Sequence, residues 1–221
     1  IPLPLLRAFQ SAQPHIKVIQ GYGLTETSPM ITLVDPDKAE AKIGSIGRAV
    51  PGVEVRIVDE NDKELPVGEA GEIITRGPHV MKGYFRRSDA TAERIRNGWL
   101  YTGDVGKVEA DGYYYHLGRR DDMIITGGLN VYPAEVENMI YTYPGVQETI
   151  VFAIPETKRG QVIGAAIVPR PGAAVVEKEL LTFLRSNLAN FKVPDRIVIR
   201  ESLPRTSSGK TIRDAETLLG N

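Results

Sequence analysis

The chain has 221 residues with 27 basic and 28 acidic side chains, and its net charge of −1 indicates neither a nucleic acid nor an anionic membrane surface as a partner. It has no cysteine, which excludes disulfides and thiolate metal sites, and its three histidines lie far apart in the sequence. No apolar run reaches membrane-spanning length and the opening residues lack a signal-peptide pattern, so we expect a cytoplasmic protein without a transmembrane segment.

The first predicted elements are a helix over residues 3–13 and a strand over residues 16–20, where branched residues alternate. The segment GYGLTET (residues 21–27) follows this strand. Its glycines, Gly21 and Gly23, permit unusual backbone dihedrals and close approach to a ligand. The neighbouring Thr25 hydroxyl and Glu26 carboxylate are suited to a phosphate oxygen and to a hard cation such as Mg²⁺.

The residue pattern in the middle of the chain predicts β structure. Strands are expected over 53–58 and 72–76, in a small antiparallel sheet or partial barrel. A helix over 88–96 is predicted, with Ser88-Asp89 as its cap and Asn97-Gly98 as its end. Residues 100–108 and 113–117 then predict a hairpin that turns at Asp111-Gly112.

After Asp122 the pattern changes to alternating strands and helices. Pro133 is suited to the first position of a helix, with Glu135 and Glu137 in its first turn. The other elements expected here are strands over 123–126, 146–154, 161–168 and 196–200, a helix over 176–188 and a terminal helix after residue 210. The change of pattern places a domain boundary within residues 118–122.

Four more segments carry chemical groups in loops or turns. They are YTGD (101–104), GRRDD (118–122), TGGLNVYP (126–133) and PRTSSGK (204–210). With the 21–27 segment, their order and spacing over about residues 20–210 resemble the adenylate-forming enzymes, which include acyl-CoA synthetases, luciferases and the adenylation domains of peptide synthetases. The last segment is not a Walker loop, because Pro204 stands where that motif needs glycine.

The resemblance implies an α/β and α+β fold in two domains. Residues 1–118 would be the C-terminal part of a large ATP-binding domain, a distorted antiparallel β-barrel with the remnant of a further sheet. Residues 119–121 would form a hinge, and residues 122–221 a small mobile α+β lid. The family carries a Ser/Thr/Gly-rich phosphate loop ending in Lys-Gly upstream of the glycine turn. Residues 1–20 contain no such loop, so we expect this sequence to be the C-terminal part of a longer enzyme.

The resemblance also implies a role for each site residue. Lys210 would be the catalytic cation that reaches the carboxylate and α-phosphate oxygens in the first half-reaction. Thr25 would contact the phosphates, and Glu26 would hold Mg²⁺. The implied ATP- and AMP-binding residues are Gly21, Tyr22, Gly23, Thr25, Asp104, Arg119 and Lys210, with His116 as a further candidate near Arg119.

Within that set, Tyr22 would lie on the adenine face, and Asp104 would accept both ribose hydroxyls, since a carboxylate has two acceptor oxygens. Arg119 would also contact the ribose. Asp121 would be the hinge residue about which the lid turns after adenylation. That rotation would bring Gly127 and Gly128 to a coenzyme A channel, where glycines allow a pantetheine arm to pass close to the backbone.

The function implied is that of a fatty-acyl or related acyl-CoA ligase that uses a carboxylic acid, ATP, Mg²⁺ and coenzyme A. Two alternatives stay open: a peptide-synthetase adenylation domain and a non-catalytic fragment. The string DMIITGGLNVYP (122–133) resembles medium- and long-chain fatty-acid CoA ligases and favours the first. The 221 residues alone are expected to be inactive, and to self-associate through apolar surface that would face the rest of the enzyme.

Overall fold

The computed structural model describes residues 3–207 and 209–220, with only the backbone described for residues 3–5. The chain divides into two compact units, one ending at Arg120 and the other beginning at Asp121. This division falls inside the segment that sequence analysis predicts as a hinge. In the described residues, no helix is both long and apolar enough to cross a bilayer.

The first unit is mostly β structure. Its elements are α1 (Leu3–Ala12), β1 (Gly21–Tyr22), β2 (Thr32–Leu33), β3 (Ser45–Ala49), β4 (Glu54–Val58), β5 (Gly71–Arg76), α2 (Ser88–Arg94), β6 (Ile95–Arg96), β7 (Trp99–Val108) and β8 (Tyr114–Arg119), with 3₁₀ turns at Thr25–Thr27 and Pro36–Lys38. The strands form one antiparallel sheet in the order β1-β2-β3-β8-β7-β5-β4, and β6 also pairs with β7.

Strand β7 occupies the interior of this sheet. It pairs with β5 on one side and β8 on the other, so residues 99–106 are all buried. The strand is buried without being uniformly apolar, because Thr102, Gly103 and Asp104 interrupt its apolar residues. Asp104 is therefore a carboxylate in the middle of a buried strand, opposite Arg119 of β8.

Three local predictions in this unit are wrong. Residues 16–20 do not form a strand, and Ile16 and Ile19 are 43% and 47% exposed. Their β-branched side chains favour extended backbone, but a strand also needs a neighbour's hydrogen-bonding groups, and the described residues pair with this segment as a ladder only from Gly21. Helix α2 ends at Arg94, and its capping residue is Arg87 without a side-chain hydrogen bond.

The Asn97-Gly98 pair is the third error. Both residues have positive φ, 50° and 79°, and they join β6 to β7 as a two-residue hairpin. The predicted hairpin between β7 and β8 is confirmed with a different turn: the Gly112 N–H donates to the Glu109 carbonyl, and only Gly112 of the Asp111-Gly112 pair has positive φ.

The second unit is a sheet with helices. Its elements are β9 (Ile124–Thr126), β10 (Leu129–Val131), α3 (Pro133–Tyr141), β11 (Val146–Glu156), β12 (Gly160–Pro169), α4 (Glu177–Asn187), β13 (Arg196–Ile199) and α5 (Ala215–Leu219), with a 3₁₀ turn at Asn190–Lys192. The strand order is β10-β9-β12-β11. Strand β13 lies parallel to β12, whereas the other pairs are antiparallel.

Alternation along β12 builds two cores. Ile163, Ala165 and Ile167 pack on one face with residues of α3 and α4, and Ala166 and Val168 belong to a second cluster that includes Leu218 of α5. Pro133 begins α3 as predicted, but Glu137 lies beyond its first turn, and its carboxylate accepts a hydrogen bond from the Val151 N–H.

Candidate nucleotide site and catalytic loop

Asp104 is the centre of a polar cluster in the first unit. The Tyr22 hydroxyl donates to its Oδ2 at 2.6 Å, and Arg119 Nε lies 2.9 Å from its Oδ1. His116 Nε2 is 3.7 Å from the same Oδ1, and the rings of Tyr22 and His116 have centroids 5.8 Å apart. Four residues separated by up to 97 positions thus meet at one carboxylate.

The Asp104 carboxylate is 2% exposed, yet it stays ionised. Burial acts to raise its pKa, but the His116 and Tyr22 side chains and the Arg119 charge outweigh burial, and the net pKa is below the ordinary value. Its Oδ1 is buried and accepts no hydrogen bond from the described residues, because the Arg119 contact lacks hydrogen-bond geometry. Arg119 itself is 52% exposed, so its movement would open this acceptor to a ligand hydroxyl.

Tyr22 is held as a neutral hydrogen-bond donor. Burial, followed by the Asp104 charge, raises the pKa of its phenol well above the usual value. The neutral phenol keeps its proton and donates it in the hydrogen bond to Asp104 Oδ2. The other Asp104 oxygen therefore remains the one available to a ligand.

Asp104 lies at a bulge within strand β7 and not in the predicted turn, and neighbours that sequence analysis did not identify fix this bulge. Gly103 has φ of +74°, and its N–H donates to Glu72 Oε1 at 2.9 Å. The Thr102 hydroxyl donates to the Ile73 carbonyl and accepts from the Asp104 N–H. Glu72 lies 32 positions from Asp104, in a segment whose sequence indicates only a strand. Nothing local in the sequence therefore predicts that Glu72 contacts the Gly103 backbone.

The two glycines of the 21–27 segment lie close to neighbouring atoms, and packing requires glycine at Gly23. Gly21 and Gly23 are not among the residues with positive φ, contrary to the predicted unusual dihedrals. A Cβ on Gly23 would lie 1.5 Å from the Pro29 carbonyl oxygen, and one on Gly21 would lie 2.8 Å from Met30 Sδ. At Gly23 the backbone lies against the backbone of Pro29, so glycine is needed there for packing independently of any ligand.

Glu26 lies in the short 3₁₀ turn that follows. Tyr84 donates its hydroxyl to Glu26 Oε1 at 2.6 Å, and this bond lowers the pKa of Glu26, with smaller contributions from the Arg94 and Arg119 charges. The carboxylate lines a cleft together with Leu24, Tyr84, Arg94, Leu100, Tyr101, Thr102 and Arg119. Because Arg119 also contacts Asp104, the Glu26 and Asp104 groups share one region. Tyr84 and Arg94 were not predicted, and no sequence signal separates them from other surface residues.

Glu26 is suited to a cation as an ionised carboxylate whose Oε2 makes no hydrogen bond with the described residues. Within those residues no three His, Cys, Asp or Glu side chains form a metal-binding group, so a metal here would depend on ligands from elsewhere, such as phosphate oxygens. Thr25 is exposed beside it, while the buried Thr27 hydroxyl accepts from the Leu24 N–H.

In the second unit, Lys210 stands at the base of a small hairpin. Arg205 pairs with Thr211, and the Thr206 N–H donates to the Lys210 carbonyl at 2.8 Å. The Arg205 guanidinium contacts the Gly209 carbonyl and Glu148, which tie the loop to the sheet. Lys210 is exposed, and its ammonium makes no bond or ion pair with the described residues. Ser208, part of the predicted loop, lies outside the described residues.

Gly127 and Gly128 form the two-residue turn between β9 and β10. Their φ values of 57° and 81°, with Thr126 paired to Leu129, are typical of a type I′ hairpin, and a Cβ on either would meet nothing within 4 Å. Backbone conformation alone explains both glycines. Asp121 is exposed in the 3₁₀ turn Arg120–Asp122.

Comparison with known proteins identifies the family to which these features belong. Residues 1–85 match the family model of the AMP-binding enzyme, and residues 135–210 match that of the AMP-binding enzyme C-terminal domain. A feruloyl-CoA synthase from Amycolatopsis sp is 42% identical over 212 residues, which are 96% of this chain and 43% of that protein. A long-chain-fatty-acid–CoA ligase from Escherichia coli is 40% identical over 196 residues, 89% of this chain and 35% of that protein.

Solved structures of coenzyme A synthetases share the fold of this chain. The O-succinylbenzoate coenzyme A synthetase from Bacillus subtilis, in complex with ATP and magnesium ion, aligns with a TM-score of 0.85 at 37% identity over 97% of this chain and 44% of that one. The chain thus spans less than half the length of the relatives it matches.

Proposed function

Because the chain belongs to the AMP-binding, adenylate-forming enzyme family, we propose that it works in an acyl-CoA ligase. In the first half-reaction a carboxylate oxygen attacks the α-phosphorus of ATP and pyrophosphate leaves, which gives an acyl adenylate. In the second the coenzyme A thiol attacks the acyl carbon and AMP leaves. Both steps bring anionic groups together, so positioning and charge neutralisation supply most of the rate.

The observation that carries this proposal is the Asp104 cluster. A buried, ionised carboxylate with one oxygen that accepts no hydrogen bond from the described residues is suited to the hydroxyls of a ribose. The rings of Tyr22 and His116 provide aromatic surface beside it for the adenine base. Arg119 is a half-exposed cation whose side chain can move to contact the ribose. The Gly21 and Gly23 backbone keeps Tyr22 next to Asp104.

Glu26 and Lys210 would act on the phosphates. When bound, Mg²⁺ would supply charge neutralisation at the triphosphate; Glu26 would hold it, with the Thr25 hydroxyl near the phosphate oxygens. The Lys210 ammonium, at the base of its hairpin, is exposed and makes no ion pair with the described residues, which suits a group that must reach the α-phosphate and the attacking carboxylate. Its role is confined to adenylation.

Asp121 would be the hinge between the half-reactions, with residues 119–121 as the hinge segment and 122–221 as the lid. The division of the chain at Arg120 and Asp121 supports that position. Gly127 and Gly128 would line the coenzyme A channel, where a turn without side chains leaves room for the pantetheine arm. Their type I′ geometry is compatible with this role and does not require it.

A fatty acid is the first acid to test, on the resemblance of residues 122–133 to fatty-acid ligases. The feruloyl-CoA synthase at 42% identity supports an aromatic acid as the second candidate. Peptide-synthetase adenylation is disfavoured by the same comparisons, since the relatives described above are coenzyme A ligases or synthetases.

Acid-dependent exchange of pyrophosphate into ATP tests the proposal. In a ligase that contains these 221 residues, we expect exchange with a long-chain fatty acid, ferulate or 2-succinylbenzoate. Lys210→Ala should lower it by ~10²–10³-fold, the usual effect of removing one group that stabilises transition-state charge. Thioester formation from supplied acyl adenylate should be largely unchanged.

The matched control is Lys178→Ala, at an exposed position of α4, which should exchange like the parent. Equal losses in both half-reactions of Lys210→Ala would show a structural role for the lysine. Absence of exchange with every acid would contradict ligase function. The 221 residues alone should release no pyrophosphate, because residues 1–20 hold no loop for the β- and γ-phosphates.

A further inference from the structure

Arg94 is a cation in the Glu26 cleft that forms no ion pair with an acidic side chain of the described residues. It stands in the last turn of α2, and its guanidinium lines the cleft with Glu26, Thr102 and Arg119. No carboxylate among the described residues lies within 4 Å of it. The other arginine of the cleft, Arg119, is paired with Asp104.

Its position is fixed from below by the β7 bulge that carries Asp104. Arg94 Nη1 donates a long bond, 3.4 Å, to the Tyr101 carbonyl. A Cβ on Gly103 would lie 2.7 Å from the same nitrogen, so the absent side chain leaves the space that the guanidinium occupies. Guanidinium has five N–H donors, and this contact uses one of them weakly.

The charge of Arg94 acts within the cleft, where it contributes to the lowered pKa of Glu26. Glu26 itself is bound by the Tyr84 hydroxyl and not by Arg94. Spare donors on a half-buried cation that has no ion pair within the described residues are suited to an oxyanion that enters from solvent. The groups around it are those that the proposed function assigns to the nucleotide.

We propose that Arg94 binds a nonbridging oxygen of the α-phosphate, in ATP and in the acyl adenylate. This inference rests on the proposed nucleotide site and adds to it a residue from outside the recognised motifs. It makes Arg94 a second phosphate cation, carried by the same unit as the ribose-binding Asp104. Lys210, in the other unit, would then act on the reacting oxygens while Arg94 holds the phosphate.

Titration of the 221-residue chain with AMP and with adenosine, followed by amide chemical shifts, separates phosphate binding from base and ribose binding. Arg94→Met keeps the length of the side chain and removes its charge. We expect it to weaken AMP binding by about 10-fold to 100-fold, the value of a charge-assisted hydrogen bond, and to leave adenosine binding unchanged. Arg94→Lys should retain part of the preference for AMP.

The matched control is Arg87→Ala, an exposed arginine at the start of the same helix, which pairs with Asp89 and should bind AMP normally. Equal loss of AMP and adenosine in Arg94→Met would overturn the inference, since it would show a structural role. Unchanged AMP affinity would overturn it as well. If the parent chain binds neither AMP nor adenosine, the nucleotide site itself is refuted, which is a separate result.

Discussion

Buried polar side chains in the first unit have protonation states set by their immediate neighbours. Burial, followed by the Asp104 charge, raises the pKa of Tyr22 and keeps it neutral, whereas His116, Tyr22 and Arg119 together outweigh burial and keep Asp104 ionised. His79 is a second case. The Thr75 hydroxyl donates its proton to the Glu54 carbonyl, so it can only accept from His79, and His79 must carry its proton on Nε2.

The neutral state of His79 predicts a pH dependence of stability. Its Nδ1 is buried without a hydrogen-bond partner in the described residues, and burial lowers its pKa. As pH falls, the unfolded chain therefore takes up a proton before the folded chain does. The stability contributed by neutral His79 is complete above the unfolded pKa, about 6.5, and is lost as pH falls through the lower folded value.

Urea unfolding at pH 8 and at pH 5.5 measures this effect. The parent should lose more stability over that interval than His79→Gln, which cannot charge. His15→Gln, at an exposed site, should behave like the parent. An unchanged pH dependence in His79→Gln would contradict the assignment.

Short turns and bulges at the ends of and within the strands determine the positions of the site residues. The type I′ turn at Gly127-Gly128 and the bulge of β7 at Gly103 both place residues at positive φ, where glycine avoids a steric penalty. The 3₁₀ turn Arg120–Asp122 has no glycine, and its Asp121 is exposed. A change of backbone dihedrals at Asp121 would therefore displace no buried side chain of its own.

Asp121→Pro tests the hinge in a ligase that contains this chain. Proline fixes φ near −65° and restricts the residue before it. We expect adenylation to persist and thioester formation to fall by ~10²-fold, the size of effect that a misplacement of about 1 Å produces. Asp121→Ala, which keeps backbone freedom, should support both half-reactions. Parallel losses in the two half-reactions, or none, would argue against rotation at this residue.

At the scale of the molecule, the two units have separate cores, and both expose large apolar side chains. Phe9, Ile16, Ile19 and Leu33 are between 36% and 47% exposed and belong to the first 33 residues. Apolar surface of this kind marks contacts with other protein surface when it is contiguous. Self-association of the chain is therefore expected.

Sedimentation velocity over a range of concentrations measures that association. Replacing Ile16 and Ile19 together with threonine should shift the chain toward the monomer, because it removes apolar area and keeps β-branched side chains. Val67→Thr, at a residue 59% exposed beside a turn, is the control and should leave the association unchanged. A parent that stays monomeric at high concentration would refute the expectation.

Much of the fold could be predicted because local patterns and tertiary packing agree. Alternation along β12, the helical spacing of Val136 and Ile140 in α3, and Pro133 at its first position all point to the structure that is found. Residues 16–20 are a segment where the local pattern and the tertiary structure disagree. Their pattern is that of a strand, but a strand exists only when another segment supplies its hydrogen bonds, and sequence spacing does not contain that information.

For the site, the sequence by itself determined the family and the motifs that carry Asp104, Arg119, Glu26 and Lys210. It did so because chemical groups at fixed spacing in turns are local properties. Only the tertiary structure decided which side chains surround them: Glu72 under the Gly103 bulge, Tyr84 on Glu26, and Arg94 in the same cleft. The two contacts span 31 and 58 positions, and Arg94 lies 68 positions from Glu26. This geometry follows from strand pairing and burial, which no local pattern encodes.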